Sequence, residues 1–343
     1  MKKLILLIIC LPLFTLGQQT INASINHGGI TRDYILYVPN SYVTGNQVPL
    51  VFNFHGYTSN ATEQMWYGDF RTIADTAGFI IVHPEGTLDN SGATHWNVGW
   101  GGSTVNDINF TSTLIDSIAS EYSINLDRVY STGMSNGGFM SYQLACELSD
   151  RIAAIASVTG SMNLGWFNSC NPNHQMPVME IHGTLDQTVP YNASSFTESA
   201  PDIMDFWGGI NNCNNTPIVT NMPDISIIDG CTAEHQIWEN GDNGATVEHY
   251  KIIGGEHSWP GAPFPNGVTN QDINAAEKIW EFFNKYDING LILPTNIKNI
   301  TAEKSAMLIK IVDVLGRVTI PKANTLLFYI YEDGTVEQKI CIE

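Results

Sequence analysis

Apolar and polar positions change their period repeatedly along the chain. Tyr34-Ile35-Leu36-Tyr37-Val38 and Pro49-Leu50-Val51-Phe52-Asn53-Phe54 are short, mostly apolar runs. Runs of this length, apolar on both faces, predict strands buried in a parallel sheet. Phe79 to Val82, Arg128 to Thr132, Ile152 to Val158, Val178 to His182 and Val247 to Ile253 are also predicted as strands. Between them the apolar residues recur at helical spacing. This predicts helices over 63–77 (Met65, Phe70, Ile73, Ala74), 107–122 (Ile108, Leu114, Ile115, Ile118), 137–148 and 271–286 (Ile273, Ala276, Ile279, Trp280, Phe283). The polar stretch 160–177 predicts a loop. Strands alternating with helices predict an α/β class, a doubly wound and mostly parallel sheet. Ligands of such sheets bind beyond the carboxyl ends of the strands.

The two ends of the chain depart from this pattern. Met1-Lys2-Lys3 leads into an apolar run, Leu4 to Leu16, closed by Gly17. A basic start, a short apolar stretch and a small residue at the cut predict a secretory signal peptide over 1–17. The run is short for a membrane span, which needs about 20 residues. After Asp287 come short β-type runs, among them Leu326 to Tyr331 and Val336 to Ile342, with a turn at Glu332-Asp333-Gly334 between them. They predict a small all-β domain. The expected domains are thus 1–17, a catalytic α/β domain over 18–287, and a linker with the β domain over 288–343.

Composition narrows the partners. Lys plus Arg is 15 against 34 Asp plus Glu, a net charge of −19. That excludes broad contact with nucleic acid, which is bound by neutralising phosphates, and disfavours anionic lipid. No segment after the first is apolar enough for membrane insertion. Export implies an oxidising compartment, in which cysteines pair. Sequence proximity predicts the bridges Cys146–Cys170 and Cys213–Cys231, one of three pairings open to four cysteines. No zinc-type Cys/His spacing occurs, so no metal and no cofactor are expected.

The chemistry centres on Gly133-Met134-Ser135-Asn136-Gly137, a G-x-S-x-G pattern between a predicted strand and a predicted helix. Flanking glycines permit the sharp turn that lifts a nucleophilic serine above a sheet. Such a hydroxyl needs a base, oriented by a third group. Asp186 follows the strand 178–182 and His257 follows the strand 247–253, each in the loop past a carboxyl end. Ser135, Asp186 and His257 stand in the chain order of α/β-hydrolases. Asp202, Asp205, Asp224 and Glu256 compete less well for the acid role. Backbone N–H groups of Tyr57, in Phe54-His55-Gly56-Tyr57, and of Asn136 are the expected oxyanion donors. His55 and His182 are expected to order their loops. Trp66, Trp96, Trp100 and Trp259 are candidates for stacking on substrate, with Trp259 and Trp100 the expected substrate contacts.

His55-Gly56, Gly133 to Gly138, Leu144 to Arg151, Ile181 to Asp186 and Gly255 to Gly261 together resemble the secreted polyhydroxybutyrate depolymerase and feruloyl esterase group, near the family-one carbohydrate esterases. The resemblance spans about residues 25–287. It implies an α/β-hydrolase fold, ester hydrolysis by Ser135, Asp186 and His257, and support for both disulfides. Glu256 and Val105-Asn106-Asp107-Ile108 depart from the group's usual pattern. The segments Ile311 to Arg317 and Phe328 to Glu337 resemble the C-terminal sorting domain of type IX secretion cargo. That implies export machinery as a partner and a secreted or cell-surface protein. The function expected is a serine carboxylesterase acting on feruloyl or acetyl esters of plant polysaccharide. The alternatives are a polyhydroxyalkanoate depolymerase and a non-catalytic surface-binding module.

Overall fold

The computed structural model describes residues 18–292, 308–321, 325–332 and 335–340. The chain divides into two units between Ile292 and Leu293. The expected signal peptide and the Asp333-Gly334 turn lie outside the described residues.

The first unit is built on a ten-stranded sheet. Its strands are β1 (Gln19–His27), β2 (Ile30–Val38), β3 (Val48–Phe54), β4 (Ile80–Pro84), β7 (Ile124–Met134), β8 (Ala154–Val158), β9 (Val178–Gly183), β10 (Ile218–Asn221), β11 (Thr232–Trp238) and β12 (Val247–Ile253). Two-residue strands β5 (Thr87–Leu88) and β6 (Thr94–His95) pair apart from it. The order is β1-β2-β4-β3-β7-β8-β9-β12-β11-β10. The six strands from β4 to β12 run parallel. β1 and β2 on one side, and β11 and β10 on the other, add antiparallel edges. The expected α/β class and mostly parallel sheet are borne out.

Helices α1 (Ala61–Tyr67), α2 (Arg71–Ala77), α3 (Asp107–Glu121), α4 (Asn136–Glu147), α5 (Leu164–Phe167), α6 (Ala200–Ile210) and α7 (Ala275–Phe283) connect the strands. The period of the strands divides the core. Leu50, Phe52 and Phe54 of β3 face a cluster with Trp96, Leu114 and Trp207, while Val51 faces one with Ile81, Ile279 and Phe283.

Several expectations are corrected. The helix predicted over 63–77 is two helices, because α1 stops at Gly68. A Cβ there would meet the Trp259 ring at 3.0 Å, so the chain turns where only glycine fits. The loop 160–177 contains the short α5. The first unit ends after Ile292 rather than Asp287, because a hairpin of β13 (Tyr286–Asp287) and β14 (Gly290–Leu291) closes it.

Cys146 and Cys170 form the expected disulfide, fastening the last turn of α4 to the segment after α5. Cys213 and Cys231 are free thiols, contrary to expectation. They sit at opposite ends of β11. Cys231 immediately precedes it, whereas Asn214 bonds Glu239 and Cys213 Sγ lies 3.6 Å from the Ala245 carbonyl, past its far end. Seven strand residues span roughly 23 Å, whereas a bridge needs Cα atoms within about 7 Å.

In the second unit, β15 (Leu308–Val312), β16 (Leu326–Tyr331) and β17 (Val336–Ile340) form an antiparallel sheet in chain order. Leu327 and Val312 are its buried apolar residues. It fits the expected small all-β domain.

Candidate active site

Ser135 occupies the turn between β7 and α4 with φ 55° and ψ −121°. A non-glycine residue at positive φ is strained, and such strain persists where the surroundings over-determine it. Here they do. The Ser135 amide donates to the Val158 carbonyl at 2.8 Å, and its own carbonyl accepts from the Phe139 amide at 3.0 Å. A Cβ on Gly133 or Gly137 would lie 2.6 Å or 2.2 Å from the Phe54 carbonyl oxygen, so β3 is packed directly on the elbow. The same strand delivers His55, Gly56 and Tyr57 to the site.

The amides of Tyr57 and Asn136 have no hydrogen-bond acceptor among the described residues. Asn136 opens α4, where the first N–H groups lack partners within the helix. Gly56 abuts Ser135, a Cβ there lying 3.5 Å from the serine Cβ. Two free donors thus stand beside Ser135, the arrangement that an oxyanion there would require.

Asp186 and His257 come from loops that are zipped together. The Thr184 amide bonds the Ile252 carbonyl and the Leu185 amide bonds the Gly255 carbonyl, both at 2.9 Å. His257 Nδ1 donates to Asp186 Oδ2 at 2.7 Å. The other carboxylate oxygen accepts the amides of Thr188 and Val189 at 2.8 and 2.9 Å. With Nδ1 carrying the proton, a neutral His257 ring keeps its lone pair on Nε2. His257 and Ser135 line one cavity of about 410 Å³. Asp202 and Asp205 instead lie on α6, and Asp224 in the loop after β10.

Behind Asp186 is a buried chain of charge. Tyr142 donates to Glu180 Oε2 at 2.8 Å, and Glu180 Oε1 lies 2.9 Å from His182 Nδ1. His182 Nε2 donates to the Val189 carbonyl at 2.8 Å and stands 3.4 Å from Asp186 Oδ2. Burial works against a charged His182, but its bonds to Asp186 and Glu180 outweigh that and push it up to about 10. Burial would raise the Asp186 carboxyl, yet the bonds from His182 and His257 hold it below the usual carboxylate range. Glu180 was missed by sequence reasoning. Its signal is a carboxylate in the middle of a mostly apolar, fully buried strand, a placement that needs a partner.

Of the candidate aromatic contacts, Trp100 is 46% exposed and lines a second, larger cavity of about 720 Å³, which also reaches Ser135. Its other walls include Phe139, Leu164, Val189, Pro190 and Phe196. Trp66 is exposed and covered by the Arg71 guanidinium. Trp259 is corrected from substrate contact to core: it is 1% exposed, edge-on to Phe70 and pressed on Gly68. Trp96 is likewise buried. A tryptophan two residues past a base has the same sequence signature whether its loop turns outward or inward. Here it turns inward, where burying the indole removes most apolar surface from water. Glu63, Gln64, Tyr67, Phe264 and Asn266, on the 410 Å³ cavity, were also missed, since no motif marks them.

Residues 32–169 match the family described as Esterase PHB depolymerase. Over 274 residues the chain is 27% identical to the bifunctional acetylxylan esterase/xylanase XynS20E of Neocallimastix patriciarum, covering 79% of this chain and 36% of that protein. It is 28% identical over 242 residues to feruloyl esterase B of Piromyces equi, covering 66% of this chain and 42% of that one. The chain therefore spans well under half of these two relatives. Among solved structures, the acetyl xylan esterase from Aspergillus awamori superposes with a TM-score of 0.50 at 14% identity, covering 74% of this chain and 94% of that one. These likenesses bear out the resemblance to the esterase and polyhydroxybutyrate depolymerase group and the α/β-hydrolase fold.

Proposed function

We propose that this protein is a serine carboxylesterase that cleaves esters joining a bulky, apolar or aromatic acid to a hydroxyl-rich alcohol, as in feruloyl esters of plant polysaccharide. Ser135 Oγ attacks the ester carbonyl while His257 Nε2 takes its proton. The Tyr57 and Asn136 amides hold the oxyanion. As the intermediate collapses, His257 returns the proton to the leaving alcohol, and water then frees the acid from Ser135 by the same route. Asp186 keeps the His257 tautomer.

The observation that carries the substrate reading is the asymmetry around Ser135. His257 lines the 410 Å³ cavity and not the 720 Å³ one. The base must reach the leaving oxygen, so the alcohol belongs on its side. That side offers Ser59, Glu63, Gln64, Tyr67 and Asn266, groups able to bond hydroxyls. The acid then enters the larger cavity, walled by Trp100, Phe139, Leu164 and Phe196. An acetyl group would leave that cavity unfilled. A polyhydroxyalkanoate repeats one apolar unit on both sides of each ester and would call for two similar pockets. The relatives named as feruloyl and acetylxylan esterases support a polysaccharide ester. Export is supported by the Cys146–Cys170 bridge, a bond that persists in oxidising compartments. The C-terminal β unit is proposed as the segment that export machinery reads.

Methyl ferulate, acetylated xylan and polyhydroxybutyrate offered side by side test this. The expected order of kcat/KM places the ferulate first; a preference for either of the others overturns the assignment of the cavities. Absence of a fluorophosphonate adduct at Ser135 would favour the non-catalytic binder.

A further inference from the structure

The segment 94–97, made of β6 and the two residues after it, touches both oxyanion loops. The Thr94 carbonyl accepts from the Thr58 amide at 2.9 Å. Trp96 makes three hydrogen bonds of its own. Its backbone N–H donates to Asn136 Oδ1 at 2.7 Å, and its carbonyl accepts from Asn136 Nδ2 at 3.1 Å. Its indole Nε1 donates to the His55 carbonyl at 2.9 Å. The first two form a closed amide-to-peptide pair, which holds the Asn136 side chain in one orientation. The third fixes the peptide that leads into Gly56. The His55 ring completes the frame, donating from Nδ1 to the Gly56 carbonyl at 2.7 Å and accepting the Gly86 amide on Nε2 at 2.9 Å. The Gly56 carbonyl and the Tyr57 N–H belong to one planar peptide, so holding one aims the other.

From this geometry we infer that Trp96 is a positioning residue that sets the Tyr57 and Asn136 donors relative to each other without touching substrate. Burial alone does not explain its bonds. Trp207 and Trp238 are also buried, and their Nε1 atoms have no partner among the described residues. The inference rests on the proposed role of Ser135 as nucleophile, because only a developing oxyanion gives that alignment a use. Oxyanion donors act over a narrow distance range, and a 1 Å error in placement costs on the order of 100-fold in rate.

Trp96→Phe keeps a buried ring and both backbone bonds to Asn136, and removes the indole donor together with part of the ring's volume. With p-nitrophenyl esters, kcat per fluorophosphonate-titrated site should fall roughly 10- to 100-fold with KM unchanged. Affinity for a trifluoromethyl ketone, which mimics the tetrahedral intermediate, should fall by the same factor. A merely structural role would lower the melting temperature or the titratable fraction and leave kcat per site and mimic affinity alone; that result overturns the inference. Asn136→Leu, which keeps the size of the side chain and removes both bonds to the Trp96 backbone without adding charge, provides the same reading if Trp96→Phe folds poorly. Wild-type protein without Ser135-dependent hydrolysis would sink the esterase reading itself. Active wild type with unaffected variants would sink the Trp96 role alone.

Discussion

On the side of the proposed nucleophile, position is held by neutral groups: the backbone of Ser135, glycines pressed on Phe54, and the amides of Asn136 and Trp96. On the side of the proposed base it is held by charge. Glu180, His182, Asp186 and His257 form a line of buried or half-buried titratable groups that ends at the cavity. The difference has a physical basis. A strained turn is kept by close packing, which admits no proton and no salt dependence. A catalytic carboxylate must stay ionised while buried, which takes hydrogen bonds and a compensating positive charge. Variants on the first side should therefore change rate without changing pH behaviour, and variants on the second should change pH behaviour.

The largest effect tests the nucleophile side. Ser135→Ala should remove about 10⁵-fold or more of kcat on p-nitrophenyl acetate, with the melting curve nearly unchanged; residual activity near wild type would refute the assignment. Next, Asp186→Asn should cost about 10⁴-fold in kcat by favouring the wrong tautomer of His257. A loss under tenfold would show that Asp186 does not orient the base.

The smallest effect is on stability. Between them, Glu180 and His182 hold one proton in the folded chain up to about pH 10, whichever of the two carries it. Unfolded, a histidine releases its proton near 6.5. The raised folded value means this contribution is complete below about pH 6.5 and is lost as pH rises through about 10. Urea unfolding should weaken by up to about 1.4 kcal/mol per pH unit over this range, and His182→Gln should flatten the slope. Equal slopes for the two proteins would remove the charged chain from the account.

Much of the sheet was legible because buried parallel strands are apolar on both faces. β3, β4 up to Val82, and β8 stand out in this way, whereas β9 and β12 carry titratable residues among their apolar ones. β10 was not legible: its four residues are all exposed, so burial leaves no pattern in them. β1 alternates half-buried and exposed positions but is a polar strand, Gln19-Thr20-Ile21-Asn22-Ala23-Ser24-Ile25-Asn26-His27, with too few apolar residues to mark a face. The expected triad residues were visible one by one, because a loop just past each strand end is where such a sheet exposes side chains. Glu180 was not assigned Tyr142, nor Trp96 its partners Asn136 and His55, since these lie 38, 40 and 41 residues away.

The sequence by itself determined the class of the fold and the order Ser135, Asp186, His257, because hydrophobic period and strand-end position are local properties. Only the tertiary structure decided which tryptophans line a cavity, which cysteines meet, and that the space beside Ser135 is two unlike cavities. Trp259 and Trp100 both follow motif-like segments, yet one turns into the core and the other lines a cavity. Cys213 and Cys231 are near in sequence and held apart by the length of β11. Direction and distance across a packed core depend on how all the elements fit at once, and no local window carries that information.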